Sequence, residues 1–170
     1  TQAKVGEELH MRGPAGDCFY AATDASSHPL LLAGTGTGLA PLYGIVQDAL
    51  QQGHKAEISL FHGGRTSTHL YYVEKLQQLA ASYSNFSYYP CTIEDSGAEQ
   101  FNTGTLETVL ENTLDKDKLA QTRVYLCGAP EIVHALRKRI FLKGARAANI
   151  HCDPFTERKV VSQDNAKAQS

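Results

Sequence analysis

Residues 30–41 read Leu-Leu-Leu-Ala-Gly-Thr-Gly-Thr-Gly-Leu-Ala-Pro, and this stretch decides the fold. The apolar run at 30–33 has the length of a buried strand. Three alternating glycines then allow a tight turn: Gly34, Gly36 and Gly38. Pro41 suits the first turn of a helix, where its missing N–H costs nothing. The stretch therefore predicts a strand, a glycine-rich turn and a helix in direct succession.

The predicted turn is suited to an anion. The first N–H groups of a helix have no partner within the helix, and the helix dipole places positive charge there. Since glycine has no Cβ, a ligand can approach these groups closely. Thr35 and Thr37 add hydroxyl donors. We expect the pyrophosphate of a nucleotide to bind between Gly34 and Gly38.

The turn differs from two common phosphate-binding motifs. It does not match G-x-G-x-x-G, and His62-Gly63-Gly64-Arg65 stands at the end of the second strand, where a dehydrogenase places an acidic residue for the ribose. It also lacks the lysine of a P-loop. A standard dehydrogenase and a nucleoside triphosphatase are both disfavoured.

Strand-length apolar runs alternate with segments of helical period along most of the chain. The predicted strands span residues 30–33, 56–61, 86–93, 123–127 and 149–153. The apolar stripes that predict helices begin at Leu39, Leu70, Leu106 and Ile132. This alternation implies right-handed crossovers, so the predicted fold class is α/β, a doubly wound five-stranded parallel sheet.

The first 27 residues break this alternation. Residues 5–12 read as a turn and then a strand, 13–16 as a Gly-Pro turn, and 18–20 as the start of another strand. We interpret them as the end of a separate β structure. The predicted segments are this β remnant (1–27), a nucleotide-binding domain (28–156) and a polar tail (157–170).

Composition and charge exclude several classes of protein. The chain has 170 residues, 42% of them apolar, and a net charge of −2, which disfavours a nucleic-acid binder. No apolar run reaches the roughly 18 residues of a membrane span, and no signal peptide is visible, so we expect a cytoplasmic protein. The four cysteines and seven histidines lack metal-ligand spacing, so no metal site is expected.

Ligands of an open parallel sheet bind at the carboxyl ends of its strands, and the loops there contain further candidates. Arg65 is placed to meet a phosphate and Tyr71, one turn into a predicted helix, to cover a base. Tyr72 is expected in the core. Glu94 and Asp95 follow the third strand, where carboxylates suit ribose hydroxyls and repel an extra phosphate; a solvated acidic turn is an equal alternative.

The fourth strand ends in Cys127-Gly128-Ala129-Pro130. Gly128 permits a close backbone approach, and Pro130 begins a helix. The position of Cys127 at the strand tip leaves two interpretations open, a role in the site or a buried packing residue.

Three motifs together resemble the nicotinamide-binding domain of the ferredoxin–NADP⁺ reductase family. They are residues 31–41, residues 61–66 with 70–72, and residues 124–130, in the order of the family. The resemblance covers about residues 28 to 156, and residues 13–16 resemble the end of the family's flavin-binding barrel.

The resemblance implies roles for individual residues. The Gly34–Gly38 turn would hold the pyrophosphate, and Cys127 with Gly128 and the following Ala129-Pro130 would border the nicotinamide during hydride transfer to a flavin. Arg65 and Tyr71 would lie toward the adenosine. In the closing strand, Phe155 matches an aromatic residue that lies near the flavin ring in the family.

Two departures from the family pattern are informative. NADPH-using members carry a Ser-Arg pair where this chain has Ile93-Glu94, and a carboxylate repels a 2′-phosphate, so NADH is the expected cofactor and NADPH the less favoured one. The family's flavin motif, Arg-x-Tyr-Ser/Thr, and a C-x₄-C-x₂-C iron–sulfur pattern are both absent from the sequence.

The resemblance therefore implies one part of a larger oxidoreductase. Its partners would be an FAD-binding domain and an electron acceptor such as an iron–sulfur protein or domain. Two alternatives remain open at this point, a stand-alone module that senses dinucleotides without catalysis, and an FMN-binding carrier of flavodoxin type.

Overall fold

The structure is a computed structural model, and it describes residues 4–8, 18–21, 27–94 and 100–156. The strands are β1 (Leu30–Thr35), β2 (Ile58–Gly64), β3 (Phe86–Thr92), β4 (Asn102–Thr103), β5 (Arg123–Gly128) and β6 (Ile150–Pro154). The helices are α1 (Leu39–Gln51), α2 (Val73–Ser82), α3 (Leu106–Thr113), α4 (Lys116–Leu119) and α5 (Pro130–Leu142). Short 3₁₀ turns occupy Gly36–Gly38, Ser67–His69 and Ala147–Asn149.

The six strands form one sheet in the order β4-β3-β2-β1-β5-β6, and every neighbouring pair is parallel. The α/β class and the five predicted strands are confirmed. The sheet contains a sixth strand, β4, whose two residues are too few for an alternating pattern to show in the sequence.

Alternate residues of the strands point into two separate cores. Leu30 and Leu32 of β1 pack with buried residues of α1 and α2 on one face. Leu31 and Ala33 pack with residues of α3, α4 and α5 on the other. Both faces of the sheet are thus covered by helices, as the continuous apolar character of residues 30–33 predicts.

The topology determines where a ligand binds. The chain leaves β1 for β2 and β3 on one side, then returns to place β5 on the other side of β1. The strand order therefore reverses between β1 and β5, and the crevice at their carboxyl ends is the ligand position of such sheets.

The N-terminal segment differs from expectation. Residues 18–21 form no strand; instead the Tyr20 side chain is buried against α1, and its hydroxyl lies 3.1 Å from Nδ1 of His54. The prediction of a strand at 18–20 is wrong: Tyr20 packs into the core, whereas Phe19 is 63% exposed, and no described strand pairs with this segment. Residues 9–16, Asp95 and the tail 157–170 lie outside the described residues.

No helix of the described ranges is both long enough and apolar enough to cross a membrane.

Candidate functional site

The glycine-rich turn has the predicted conformation at the end of β1. The 3₁₀ turn Gly36–Gly38 leads directly into α1 at Leu39, so the N-terminus of α1 lies at this edge of the sheet. Gly36 has φ +52°, which favours glycine, and a Cβ built there meets no atom within 4 Å. Gly36 and Thr37 are exposed. The turn therefore offers backbone groups to a ligand without side-chain obstruction.

The buried half of the turn is in contact with the tip of β5. A Cβ built at Gly38 would lie 2.4 Å from the carbonyl oxygen of Cys127 and 2.7 Å from the backbone nitrogen of Gly128. Gly34, within β1, pairs with Cys127 across the sheet. The predicted pyrophosphate turn and the predicted nicotinamide tip are thus neighbours at the β1/β5 crevice.

A cleft of about 440 Å³ opens beside this turn, at the carboxyl ends of β1, β2 and β3. Its lining includes Thr35 and Gly36 from the turn, Arg65 after β2, and residues of α3. Its walls combine apolar side chains with a few polar groups, as ligand clefts do. Three residues predicted from the sequence therefore share one cavity.

Tyr71 lies outside the cleft lining but contacts the turn. Its hydroxyl donates a hydrogen bond to the carbonyl oxygen of Gly36 at 3.0 Å. Burial raises the pKa of Tyr71, so the hydroxyl stays protonated and available as a donor at neutral pH. Tyr71 thereby holds the exposed part of the turn.

Tyr72 differs from expectation. Tyr71 and Tyr72 precede α2 instead of lying in it: Tyr72 is the N-cap residue and has φ 60°, a left-handed conformation outside the helix. The Tyr72 side chain is 52% exposed, and its ring lies beside that of Tyr43, with centroids 5.6 Å apart. The prediction of a core residue is wrong because α2 begins at Val73, three residues later than the predicted stripe that starts at Leu70.

The buried His62 side chain contacts the ring of Tyr71. It is fully buried, its ring meets that of Tyr71 edge-on with centroids 5.5 Å apart, and its Nδ1 lies 3.1 Å from the Tyr88 hydroxyl. Burial lowers the pKa of His62 from 6.5 to about 4, because no described group compensates a buried charge there. The imidazole is therefore neutral at pH 7.

This pKa makes the stability of the fold dependent on pH. Between pH 6.5 and about 4, the unfolded chain binds a proton at His62 that the folded chain does not bind. His62 should therefore reduce the free energy of unfolding as the pH falls, by about 2 kcal/mol between pH 7 and about pH 5. His62→Gln, which keeps a polar side chain that does not titrate, should remove this part of the dependence in urea unfolding. An unchanged pH profile in the variant would contradict the assignment.

Arg65 and Glu94 meet at the rim of the cleft. Nε of Arg65 lies 2.6 Å from Oε1 of Glu94, and both side chains are largely exposed. The Ile93 and Glu94 N–H groups donate to the Arg65 carbonyl oxygen at 3.1 and 3.0 Å. The loops after β2 and β3 are therefore tied together, and the guanidinium that was predicted to meet phosphate already holds a carboxylate.

Cys127 is placed on the core side of the β5 tip. Its side chain is 1% exposed and packs with the α1 core. A hydrogen bond with Cys18 and burial raise the pKa of the Cys127 thiol far above its usual value. Both effects favour the neutral thiol over the nucleophilic thiolate, and the predicted place of Cys127 beside a nicotinamide stays a prediction.

The remaining predicted residues surround the same tip. Ala129 is the N-cap of α5, and Pro130 is its first residue. Phe155 is partly exposed, and its N–H donates to the Gly128 carbonyl oxygen at 2.9 Å. The segment after β6 is thereby attached to the end of β5.

Sequence reasoning missed one wall of the cleft. Thr105 and Leu106, at the N-terminus of α3, face the turn across the cavity together with Ile132 of α5. Thr105 caps α3 by accepting a hydrogen bond from the Thr108 N–H at 3.2 Å. A Thr directly before the apolar stripe at Leu106 is a sequence signal for the start of a helix. The sequence does not indicate that this helix start lies at the cleft, because that depends on the topology of the sheet.

Comparison with known proteins agrees with this geometry. A model of the oxidoreductase NAD-binding domain family matches residues 32–138, which contain the turn, the cleft and the β5 tip. This chain belongs to the oxidoreductase NAD-binding domain family. The predicted resemblance to the ferredoxin–NADP⁺ reductase family is confirmed, because the similar proteins and solved structures are reductases.

Two similar relatives are reductase components. The chain is 32% identical over 155 residues to the ferredoxin–NAD(P)⁺ reductase component of the naphthalene 1,2-dioxygenase/salicylate 5-hydroxylase systems of a Ralstonia species, covering 91% of this chain and 46% of that protein. It is 34% identical over 154 residues to the corresponding naphthalene 1,2-dioxygenase component of Pseudomonas putida, covering 89% and 45%. The chain thus spans about half the length of these relatives.

Solved structures show the same fold. The cytochrome P450 reductase GcoB of Amycolatopsis superposes with a TM-score of 0.74 at 28% identity, covering 90% of this chain and 46% of that one. A ferredoxin NADP⁺ reductase from Neisseria gonorrhoeae, solved with bound FAD and NADP, superposes with a TM-score of 0.61 at 19% identity, covering 75% and 56%. The NAD-binding domain therefore has the architecture of these reductases.

Proposed function

We propose that this chain is the nucleotide-binding part of a flavin-dependent NADH oxidoreductase. It holds the dinucleotide so that the nicotinamide faces an FAD carried by another domain, and electrons continue to an iron–sulfur or other acceptor. The relatives named as reductase components of oxygenase systems support this assignment. When bound, NADH supplies the hydride; the protein supplies binding and orientation.

The observation that carries the proposal is the contact between the turn and the β5 tip. A dinucleotide has a pyrophosphate in its middle and a nicotinamide at one end, so its site needs an anion-binding turn beside a second position. The open space at Gly36 fits the first, and the adjacent Cys127–Gly128 backbone fits the second. The cleft toward Arg65 leaves room for the adenosine half.

The choice of NADH over NADPH rests on the rim of the cleft. Glu94 forms an ion pair with Arg65, a cation that lines the cleft where the adenosine half is proposed to lie. A 2′-phosphate would have to displace this carboxylate and would be repelled by it. The exposed ion pair itself contributes little to the stability of the fold. Its proposed effect is on the choice of cofactor, through the negative charge of Glu94.

Removing the charge of Glu94 should therefore shift specificity. We expect Glu94→Gln to raise the affinity for NADPH relative to NADH by about tenfold, since Arg65 is then free to meet the extra phosphate. Glu74→Gln is a matched control because Glu74 is an exposed carboxylate on α2, outside the cleft. Calorimetric titration with both nucleotides measures the ratio. Equal ratios in the two variants would remove Glu94 from the specificity determinants.

Titration of the wild-type chain with NADH, NADPH and FMN tests the proposed function directly. We expect one NADH site and the weakest binding for FMN. Tighter binding of FMN would contradict the proposal and favour a flavodoxin-type carrier. A separate assay tests whether the flavin site lies in another domain. If the chain, supplied with FAD and NADH, reduced an artificial acceptor at ordinary enzymatic rates of about 10 s⁻¹, that part of the proposal would be wrong.

The backbone at Cys127 is proposed to border the nicotinamide, and removal of the buried Cys127 thiol should affect rate more than binding. In a protein that joins this domain to its flavin domain, Cys127→Ala should slow flavin reduction by about tenfold to a hundredfold, because the space left in the core loosens the β5 tip that positions the ring. Cys91→Ala is the matched control, since Cys91 is a buried thiol near the end of β3 in the opposite core. Anaerobic stopped-flow measures the rate. Equal rates in both variants would assign Cys127 to packing alone.

A further inference from the structure

The second half of α5 and the turn after it concentrate positive charge. Residues 132–152 contain five Lys and Arg side chains and no Asp or Glu: Arg137, Lys138, Arg139, Lys143 and Arg146. The whole chain has a net charge of −2, so this segment is opposite in sign to the rest. Arg139 is ion-paired with Glu111 at 2.7 Å. Arg137 and Lys138 are exposed and form no ion pair with any residue that the structure describes.

A groove of about 300 Å³ lies between α5 and the turn that leads into β6. Phe141 and Ile150 are apolar residues of its lining, and Arg137, Lys138 and His134 are its charged or polar residues. Phe141 is 53% exposed and the adjacent Leu142 is 72% exposed. An exposed apolar surface with a polar rim is typical of a site that binds another protein.

The groove is remote from the nucleotide cleft. β6 is the last strand of the described sheet, and Ile150 is its first residue, paired with Val124 near the start of β5. The cleft lies at the opposite, carboxyl end of the strands. An occupant of the groove and a nucleotide in the cleft therefore do not compete for space.

We propose that this groove binds an acidic segment of a partner protein. One aliphatic or aromatic side chain of the segment packs on Phe141 and Ile150, and neighbouring carboxylates meet Arg137 and Lys138. A protein segment fits better than a nucleic acid because Phe141 and Ile150 are apolar, whereas a phosphate backbone offers no apolar group to pack on them. Charge complementarity favours acidic over neutral segments, since Arg137 and Lys138 lie four and three residues before Phe141, on the adjacent turn of the same helix.

The test uses the 170-residue chain and a fluorescein-labelled peptide of about 12 residues, rich in Glu and Asp, with one central Leu. We expect saturable binding in fluorescence anisotropy, weakening as salt rises toward physiological strength. Arg137→Glu/Lys138→Glu should weaken it by about tenfold or more, and Phe141→Ser by about as much. Lys55→Glu/Lys116→Glu, the same charge change at two exposed lysines outside the groove, should leave binding within about twofold.

Several outcomes would overturn the proposal. They are absence of saturable binding, equal loss in the control pair, or a single-stranded oligonucleotide that binds more tightly than the peptide and is insensitive to Phe141→Ser. Concentration-dependent dimerisation that Arg137→Glu/Lys138→Glu removes would assign the face to a second copy instead. The proposal is independent of the nucleotide site, because the expected peptide affinity is the same with and without NADH. If the chain failed to bind NADH, the proposed peptide site would not be contradicted.

Discussion

Gly38→Ala is expected to cost about 3 kcal/mol of unfolding free energy and to weaken NADH binding together with stability. The added Cβ would lie 2.4 Å from the Cys127 carbonyl oxygen and 2.6 Å from its carbon. Both are backbone atoms of a central strand, so no side-chain rotation relieves the overlap. The turn or the β5 tip must move, and either movement separates the two halves of the proposed site.

Gly44→Ala is the matched control for this variant. Gly44 is exposed within α1, and a Cβ there meets no atom within 4 Å. Alanine should raise stability by about 0.5–1 kcal/mol, because glycine is a poor helix former. Urea unfolding followed by circular dichroism compares the two variants. If Gly38→Ala unfolds at the urea concentration of the wild-type chain, the close approach of the turn to β5 is wrong.

Gly36→Val is expected to weaken NADH binding by about a hundredfold while the fold is retained. The isopropyl group would project into open space beside the turn, where the pyrophosphate is proposed to lie. The left-handed backbone at φ +52° adds about 1–2 kcal/mol of strain for a residue with a Cβ. Loss of binding would therefore come from obstruction of the ligand, with only moderate loss of stability.

Gly53→Val separates these two effects. Gly53, just after α1, also has a positive φ, +73°, and also meets no atom within 4 Å, but it lies at the far end of that helix. It should lose similar stability and keep full NADH affinity in calorimetric titration. Wild-type affinity in Gly36→Val would exclude the turn from the nucleotide site.

The local elements were predictable because their signals are local. β1, β3 and β5 begin at the predicted residues 30, 86 and 123, where apolar runs follow polar residues. β2 begins at Ile58, two residues later than predicted, and the short elements β4 and α4 were missed. Elements of two or four residues are too short for either period to appear, so only their neighbours determine them.

The candidate site was predictable in part. The turn, Arg65 and Tyr71 share one edge of the sheet because each follows a strand in the same parallel sheet. The sequence does not indicate that Tyr71 holds the Gly36 carbonyl, or that Glu94 pairs with Arg65. These contacts depend on side-chain directions between segments about 30 residues apart, which no local pattern encodes.

The amino-acid sequence by itself determined the strand–glycine turn–helix unit and the alternation that makes the sheet parallel. Both depend on backbone freedom and apolar spacing, which are properties of neighbouring residues. Only the tertiary structure decided that Cys127 points into the core, that Tyr72 is exposed, and that α3 supplies a wall of the cleft. The physical reason is that strand order and side-chain alternation together select which face and which neighbour each residue meets, and the strand order is a property of the whole chain.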